Sequence, residues 1–220
     1  MTVTTADAIT VIRLDAPARC NPIERIISTV GRVDLALADA LHDGDDIRPY
    51  AVARVPGGLE AHVCNDAIAA ALLRGDPSAR LGRRVRSDDL RGDGGETIAL
   101  EFVAPAHFRV SGLEYMLPDP RMVFGGLYER WRALGWGELP LDGAGRVGCV
   151  PERMSFGRMD IGHTAQRGFL GLVRYDLRGL MRRESDAATR EALWTLARFA
   201  EHRGVGKHTT YGMGRVRVVG

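Results

Sequence analysis

The stretch that most limits how this chain can fold is His202-Arg-Gly-Val-Gly-Lys-His-Thr-Thr-Tyr-Gly-Met-Gly-Arg-Val-Arg-Val-Val-Gly220. Gly204 and Gly206 stand on one side of a polar cluster (Lys207, His208, Thr209, Thr210, Tyr211), and Gly212 and Gly214 stand on the other. Glycine has no Cβ and accepts positive φ, so the segment turns sharply and opens its main-chain N–H groups to a ligand. It carries Arg203, Lys207, Arg215 and Arg217 and no acid. An anionic ligand, most simply a phosphate backbone, is the natural occupant of such a turn. The order of a P-loop (Gly-x4-Gly-Lys-Ser/Thr) is absent, and the loop leads into a strand rather than a helix.

What precedes the loop fixes its place in the fold. Thr97–Val103 reads as a strand. Asp119-Pro120 starts a helix with Phe124, Leu127, Tyr128 and Trp131 inward, and Arg153–Ile161 and Gly168–Leu177 read as two more strands. A helix capped by Ser185 or Asp186 runs to about His202, Gly204 stops it, and Met213–Val219 is the last strand. That order, βαββαβ, is ferredoxin-like, and it puts the glycine loop between second helix and fourth strand. The first half suggests the same order. Ile9–Leu14 is a strand, and Asn21-Pro22-Ile23-Glu24 opens a helix whose stripe runs from Ile23 to Leu41 past Gly31. The polar run from His42 to Asp46 ends that helix. Tyr50–Val55 and Leu59–Val63 form a hairpin about Pro56-Gly57-Gly58, and Asp66–Leu73 is a short helix. The basic segment 80–91 is a last strand or a mobile arm, and Arg91–Gly95 is the most linker-like stretch. The expected fold is therefore α+β, with tandem ferredoxin-like (RRM-like) domains at 1–95 and 96–220.

Charge is uneven although its sum is only +2. Residues 1–46 hold four arginines against eight acids, whereas 80–91 hold Arg80, Arg83, Arg84, Arg86 and Arg91 against two. Lys207 is the only lysine in the chain. No apolar run is long enough to span a membrane, and the first residues lack the pattern of a signal peptide. Cys20, Cys64 and Cys149 are too scattered for a zinc site or a disulfide framework. A cytoplasmic protein without a metal or other cofactor is expected.

With its elements placed, the chain resembles the repeat-processing endoribonucleases of CRISPR systems, the Cas-six family of the RAMP superfamily. Gly204–Gly214, preceded by Leu196-Ala-Arg-Phe-Ala200 and Gly168-Phe-Leu-Gly171, resembles that family's C-terminal glycine-rich loop. Phe102-Val-Ala-Pro105 and Pro120–Trp131 resemble the first strand and helix of its second domain. Leu41-His-Asp-Gly-Asp-Asp-Ile-Arg-Pro-Tyr50 resembles the segment in which many members carry a catalytic histidine.

The resemblance implies metal-independent cleavage of precursor CRISPR RNA, once per repeat. The 2′-hydroxyl attacks the adjacent phosphate, leaving a 2′,3′-cyclic phosphate and a 5′-hydroxyl, and the product stays bound. Histidine is suited to moving the protons, and a guanidinium to the phosphorane charge. His42 is the expected general acid or base and Arg48 the charge stabiliser. Gly204, Gly206, Lys207, His208, Thr209, Thr210, Gly212, Gly214, Arg215 and Arg217 are the expected RNA contacts, with His208 a reserve catalytic group. His62, His107, His163 and His202 are expected to be structural or exposed. The partners implied are repeat RNA and other Cas proteins of an effector complex. Two other readings stay open: a RAMP subunit that binds RNA without cutting it, and a binder of small phosphates.

Overall fold

The computed structural model describes residues 6–17, 19–43, 47–162, 164–183 and 186–220. The turn at Gly44–Asp46, the cap Ser185 and His163 lie outside them. Strand β1 (Ala8–Asp15) is followed by helix α1 (Pro22–Gly31), which starts as the sequence predicts. Asn21 accepts from the Ile23 N–H and donates to Glu24, and Pro22 stands in the first turn. The apolar stripe does not continue as a single helix. The Arg32 and Val33 amides close α1 on the Ser28 and Val30 carbonyls, and Asp34 accepts the Leu37 N–H at 2.9 Å to cap a separate helix, α2 (Leu35–Asp43). A side chain that satisfies an amide locally competes with helix continuation, and Val33 is left exposed.

Strands β2 (Tyr50–Val55) and β3 (Gly58–Val63) make the expected hairpin, and α3 (Asp66–Gly75) follows, capped by Asn65. The arginine-rich segment is a strand, β4 (Arg80–Arg86), rather than an arm. The second half repeats the plan with β5 (Thr97–Ala106), a small hairpin β6 (Phe108–Val110) and β7 (Leu113–Tyr115), then α4 (Pro120–Ala133). Strands β8 (Gly148–Ile161) and β9 (Thr164–Asp176), helix α5 (Asp186–Arg203) and strand β10 (Val216–Val219) complete it.

The sheets run β2-β3-β1-β4 and β10-β5-β9-β8. Counted within each unit both orders are 4-1-3-2 and every neighbouring pair is antiparallel, which makes both halves ferredoxin-like. Strand β10 is shorter than expected because the Met213 amide turns back to the His208 carbonyl, and Gly214 reaches Pro105 O of β5 outside the regular register, which begins at Val216.

The halves are joined through two features. Strand β1 turns Ile12 and Leu14 into the first core and Ile9 and Val11 into the second, so one strand serves both. Helix α5 is wedged between the halves. Trp194 covers Gly94 and donates to the Gly95 carbonyl, Arg190 pairs with Asp93 at 2.8 Å, and Arg198 bonds the Leu90 and Gly92 carbonyls. The linker-like stretch is thus fastened along its length, a tertiary effect its composition could not show.

At the far end of α5, His202 meets His62 of β3 with the two Nδ1 atoms 3.1 Å apart. Both rings are buried. Burial, with His202, Arg215, Arg203 and Arg83 adding to it, pushes His62 down to about 3. Burial, with Arg83 and Arg203, lowers His202 to about 4. Glu60, 3.9 Å from His62, is the nearby carboxylate. Both imidazoles protonate near 6.5 in an unfolded chain, so the unfolded state binds more protons below that pH and stability falls with it. The melting temperature is expected to be flat above pH 7 and to drop from about pH 6.5 toward pH 4, with a shallower slope in His62→Gln. A melting temperature constant between pH 7 and 5 contradicts this account.

Candidate nucleic-acid interface

The loop after α5 is held by its main chain. Gly204 ends the helix by donating to the Ala200 carbonyl, and Val205 and Gly214 bond each other across the loop. The Lys207 amide donates to His107 O at 2.9 Å and the Gly214 amide to Pro105 O at 2.8 Å, fixing both arms to the end of β5. Arg130 of α4 donates to the Gly204 and Gly206 carbonyls. Two glycines are required by these close approaches. Gly206 (φ +80) lies against the His107 carbonyl and Gly214 (φ +65) against that of Val205, where a Cβ would overlap the oxygen. Between them His208 takes the left-handed conformation (φ 60) and starts a single 3-10 turn, Thr209–Tyr211.

This turn lies against β2 and closes a cleft of about 560 Å³ between the halves. The second half contributes Lys207–Tyr211, Arg130, Arg203, His107 and Gln166, and the first half Ile23, Arg48 and Tyr50. The β6–β7 hairpin turns at Ser111-Gly112, both with positive φ, and sets the paired residues Arg109 and Glu114 on the rim. Among the described residues, five cations and one carboxylate line the cleft. Both of its imidazoles are held below the ordinary histidine value. Burial lowers His107 and His208, the second ring also through His107 and Lys207, although Glu114 opposes both shifts. The ring centroids are 5.3 Å apart.

The expected site residues separate into three places. Lys207, His208, Thr209 and Thr210 line the cleft, the threonines largely buried, while Gly204, Gly206, Gly212 and Gly214 shape the turn. Arg48 lines the same cleft, and its Nη2 donates to the main-chain carbonyl of His42 at 3.1 Å. His42 itself is exposed in the last turn of α2, outside the cleft lining. Arg215 bonds the Arg54 carbonyl at 3.1 Å, and Arg217 is exposed on β10 opposite Glu101. Sequence reasoning missed Tyr50, Arg130 and Arg203 as cleft residues and took His107 for a structural or exposed histidine. His107 is buried and lines the cleft. Only the Ser-Gly turn of the hairpin carried a local signal.

Two ferredoxin-like units thus close on a basic cleft beneath a glycine loop. The family model described as CRISPR-associated endoribonuclease Cas6 matches residues 100–216, more than half of the chain, and the chain belongs to that family. It is 32% identical over 124 residues to the CRISPR-associated endoribonuclease Cas6 of Mycobacterium tuberculosis H37Rv, covering 54% of this chain and 38% of that protein. The chain thus spans about 38% of the length of the curated relatives it matches. Among solved structures, Thermus thermophilus Cas6 aligns with a TM-score of 0.71 at 22% identity, over all of both chains. Its product complex aligns at 0.76, with 22% identity over 98% of this chain and 100% of that one. A Cas6-related protein of Pyrococcus furiosus aligns at 0.57, with 13% identity over 96% and 98%. At such identities the likeness is one of fold.

Proposed function

We propose that the protein is an endoribonuclease that cuts precursor CRISPR RNA within its repeats and keeps hold of the product. The observation that carries this reading is the meeting, in one cleft, of the family's glycine loop with Arg48, whose guanidinium is bonded to the main chain of His42. The scissile phosphate lies among the cations. A base takes the proton of the adjacent 2′-hydroxyl, O2′ attacks phosphorus, and the bond to O5′ breaks as an acid returns a proton to the leaving oxygen. His42 serves one of these proton transfers, and Arg48 stabilises the phosphorane charge. No step requires a metal. Products with a 2′,3′-cyclic phosphate and a 5′-hydroxyl, formed from end-labelled repeat RNA in excess chelator, are the expected result. Binding without cleavage would instead favour a RAMP subunit that only holds RNA, a reading suited to the position of His42 outside the cleft lining.

The loop is tested separately. Lys207→Ala is expected to weaken RNA binding and to reduce the slope of log affinity against log salt by about 0.7, the value for one phosphate contact on a single strand. An unchanged slope would remove Lys207 from the phosphate path.

A further inference from the structure

Four of the buried side-chain polar atoms that lack a hydrogen-bond partner among the described residues converge on the cleft. They are Arg48 Nη1, the Tyr50 hydroxyl, His107 Nδ1 and Arg203 Nε. The Arg48 guanidinium and the Tyr50 hydroxyl lie close enough to interact with each other. A buried polar atom without a full partner forfeits its solvation, so a cluster of them around one opening points to something that is to be held there.

Charge gives a second, independent indication. Arg203 is only 2% exposed. Its Nη2 donates to Arg48 O at 2.5 Å, and Nη1 reaches Cys64 Sγ at 3.7 Å. Arg130 is spent on the Gly204 and Gly206 carbonyls, and Arg203 bears on it electrostatically. Among the described residues, no carboxylate pairs with Arg48, Arg130 or Arg203, whereas Arg25, Arg146 and Arg190 each have one. Buried charge normally comes with an opposite charge. Among the described residues, these three guanidiniums stand without a paired carboxylate.

We infer that Arg203, with Arg48 and the Tyr50 hydroxyl, forms a desolvated oxyanion subsite whose counter-ion is a phosphodiester of bound RNA, and that filling it locks the two halves together. The inference rests on the reading of the cleft as an RNA site, but not on cleavage. Arg203 ends α5 in the second half, while Arg48 leads into β2 and Tyr50 opens that strand in the first. An anion bridging them ties the halves at the point where Arg203 already holds the Arg48 carbonyl. The half-buried Lys207 on the loop steers an incoming strand; the buried arginine holds one phosphate.

The test is thermal denaturation of the full chain at fixed ionic strength, with chloride replaced by inorganic phosphate or by a short single-stranded RNA. A ligand bound only by the folded state raises the melting temperature with the logarithm of its concentration. The expected result is such a rise with phosphate and a larger one with RNA in wild type and in Arg74→Gln, an exposed control outside the cleft. Arg203→Met is expected to lose the phosphate response. If that variant does not fold, Tyr50→Phe, which deletes one hydroxyl, is expected to shift the phosphate response to at least several-fold higher concentration. A response to RNA but not to phosphate means RNA is held by exposed contacts and overturns the subsite. So does a phosphate response that survives Arg203→Met or, where that variant is unfolded, is unchanged in Tyr50→Phe. Cleavage in chelator is read in parallel, so loss of the subsite and loss of the nuclease reading give different patterns.

Discussion

Replacement of His42 by alanine is expected to slow repeat RNA cleavage by about 10²–10⁴-fold, the range for removal of a general acid or base. RNA affinity and melting temperature are expected to stay near wild type, because the side chain is exposed in the last turn of α2 and outside the cleft lining. That combination separates chemistry from structure. The geometric argument is the Arg48 bond to the His42 carbonyl, which anchors the end of α2 to a side chain of the cleft wall. Arg48→Ala is then expected to lower cleavage through both lost charge stabilisation and a released α2 terminus. Normal cleavage by His42→Ala would move the proton transfer elsewhere, with His208 the first residue to test.

Gly214→Ala is expected to be the most damaging single substitution in the loop. The new methyl group would overlap the Val205 carbonyl oxygen while the backbone is held at φ +65. The left-handed conformation alone costs about 1–2 kcal/mol, and relief of the overlap breaks the Val205–Gly214 and Gly214–Pro105 hydrogen bonds. The sum is on the order of 3–4 kcal/mol, which for a chain of this size lowers the melting temperature by roughly 10 °C. RNA binding is expected to fall with it, because the same bonds hold the Lys207–Tyr211 turn over the cleft. Gly112→Ala is the matched control: it also has positive φ (+84), but nothing lies within 4 Å of its added Cβ. Equal effects at the two positions would show that conformation, not close approach, governs the loop.

The sequence made the units readable where a local residue dictates local geometry. Asn21-Pro22 starts α1, Gly57 turns the β2–β3 hairpin, and Gly204 stops α5, each through its own backbone chemistry. The break between α1 and α2 was written in Asp34, but the continuing apolar spacing of Val33 and Leu37 masked it. The cleft was legible only on its loop side. Tyr50, His107, Arg130 and Arg203 are ordinary residues of a strand, a strand end and two helices, and nothing in their neighbours distinguishes them. They become a site because the 4-1-3-2 order carries β2 of one unit against α5 and the glycine loop of the other.

That order also sets a schedule for a chain leaving the ribosome. The first sheet can close once Arg86 has emerged, but β5 must wait for β10, its neighbour on one side, for more than a hundred residues. Arg203 and the glycine loop arrive within that final stretch. A nascent chain therefore has no complete cleft until β10 pairs with β5, and the two halves close on it in a single late step.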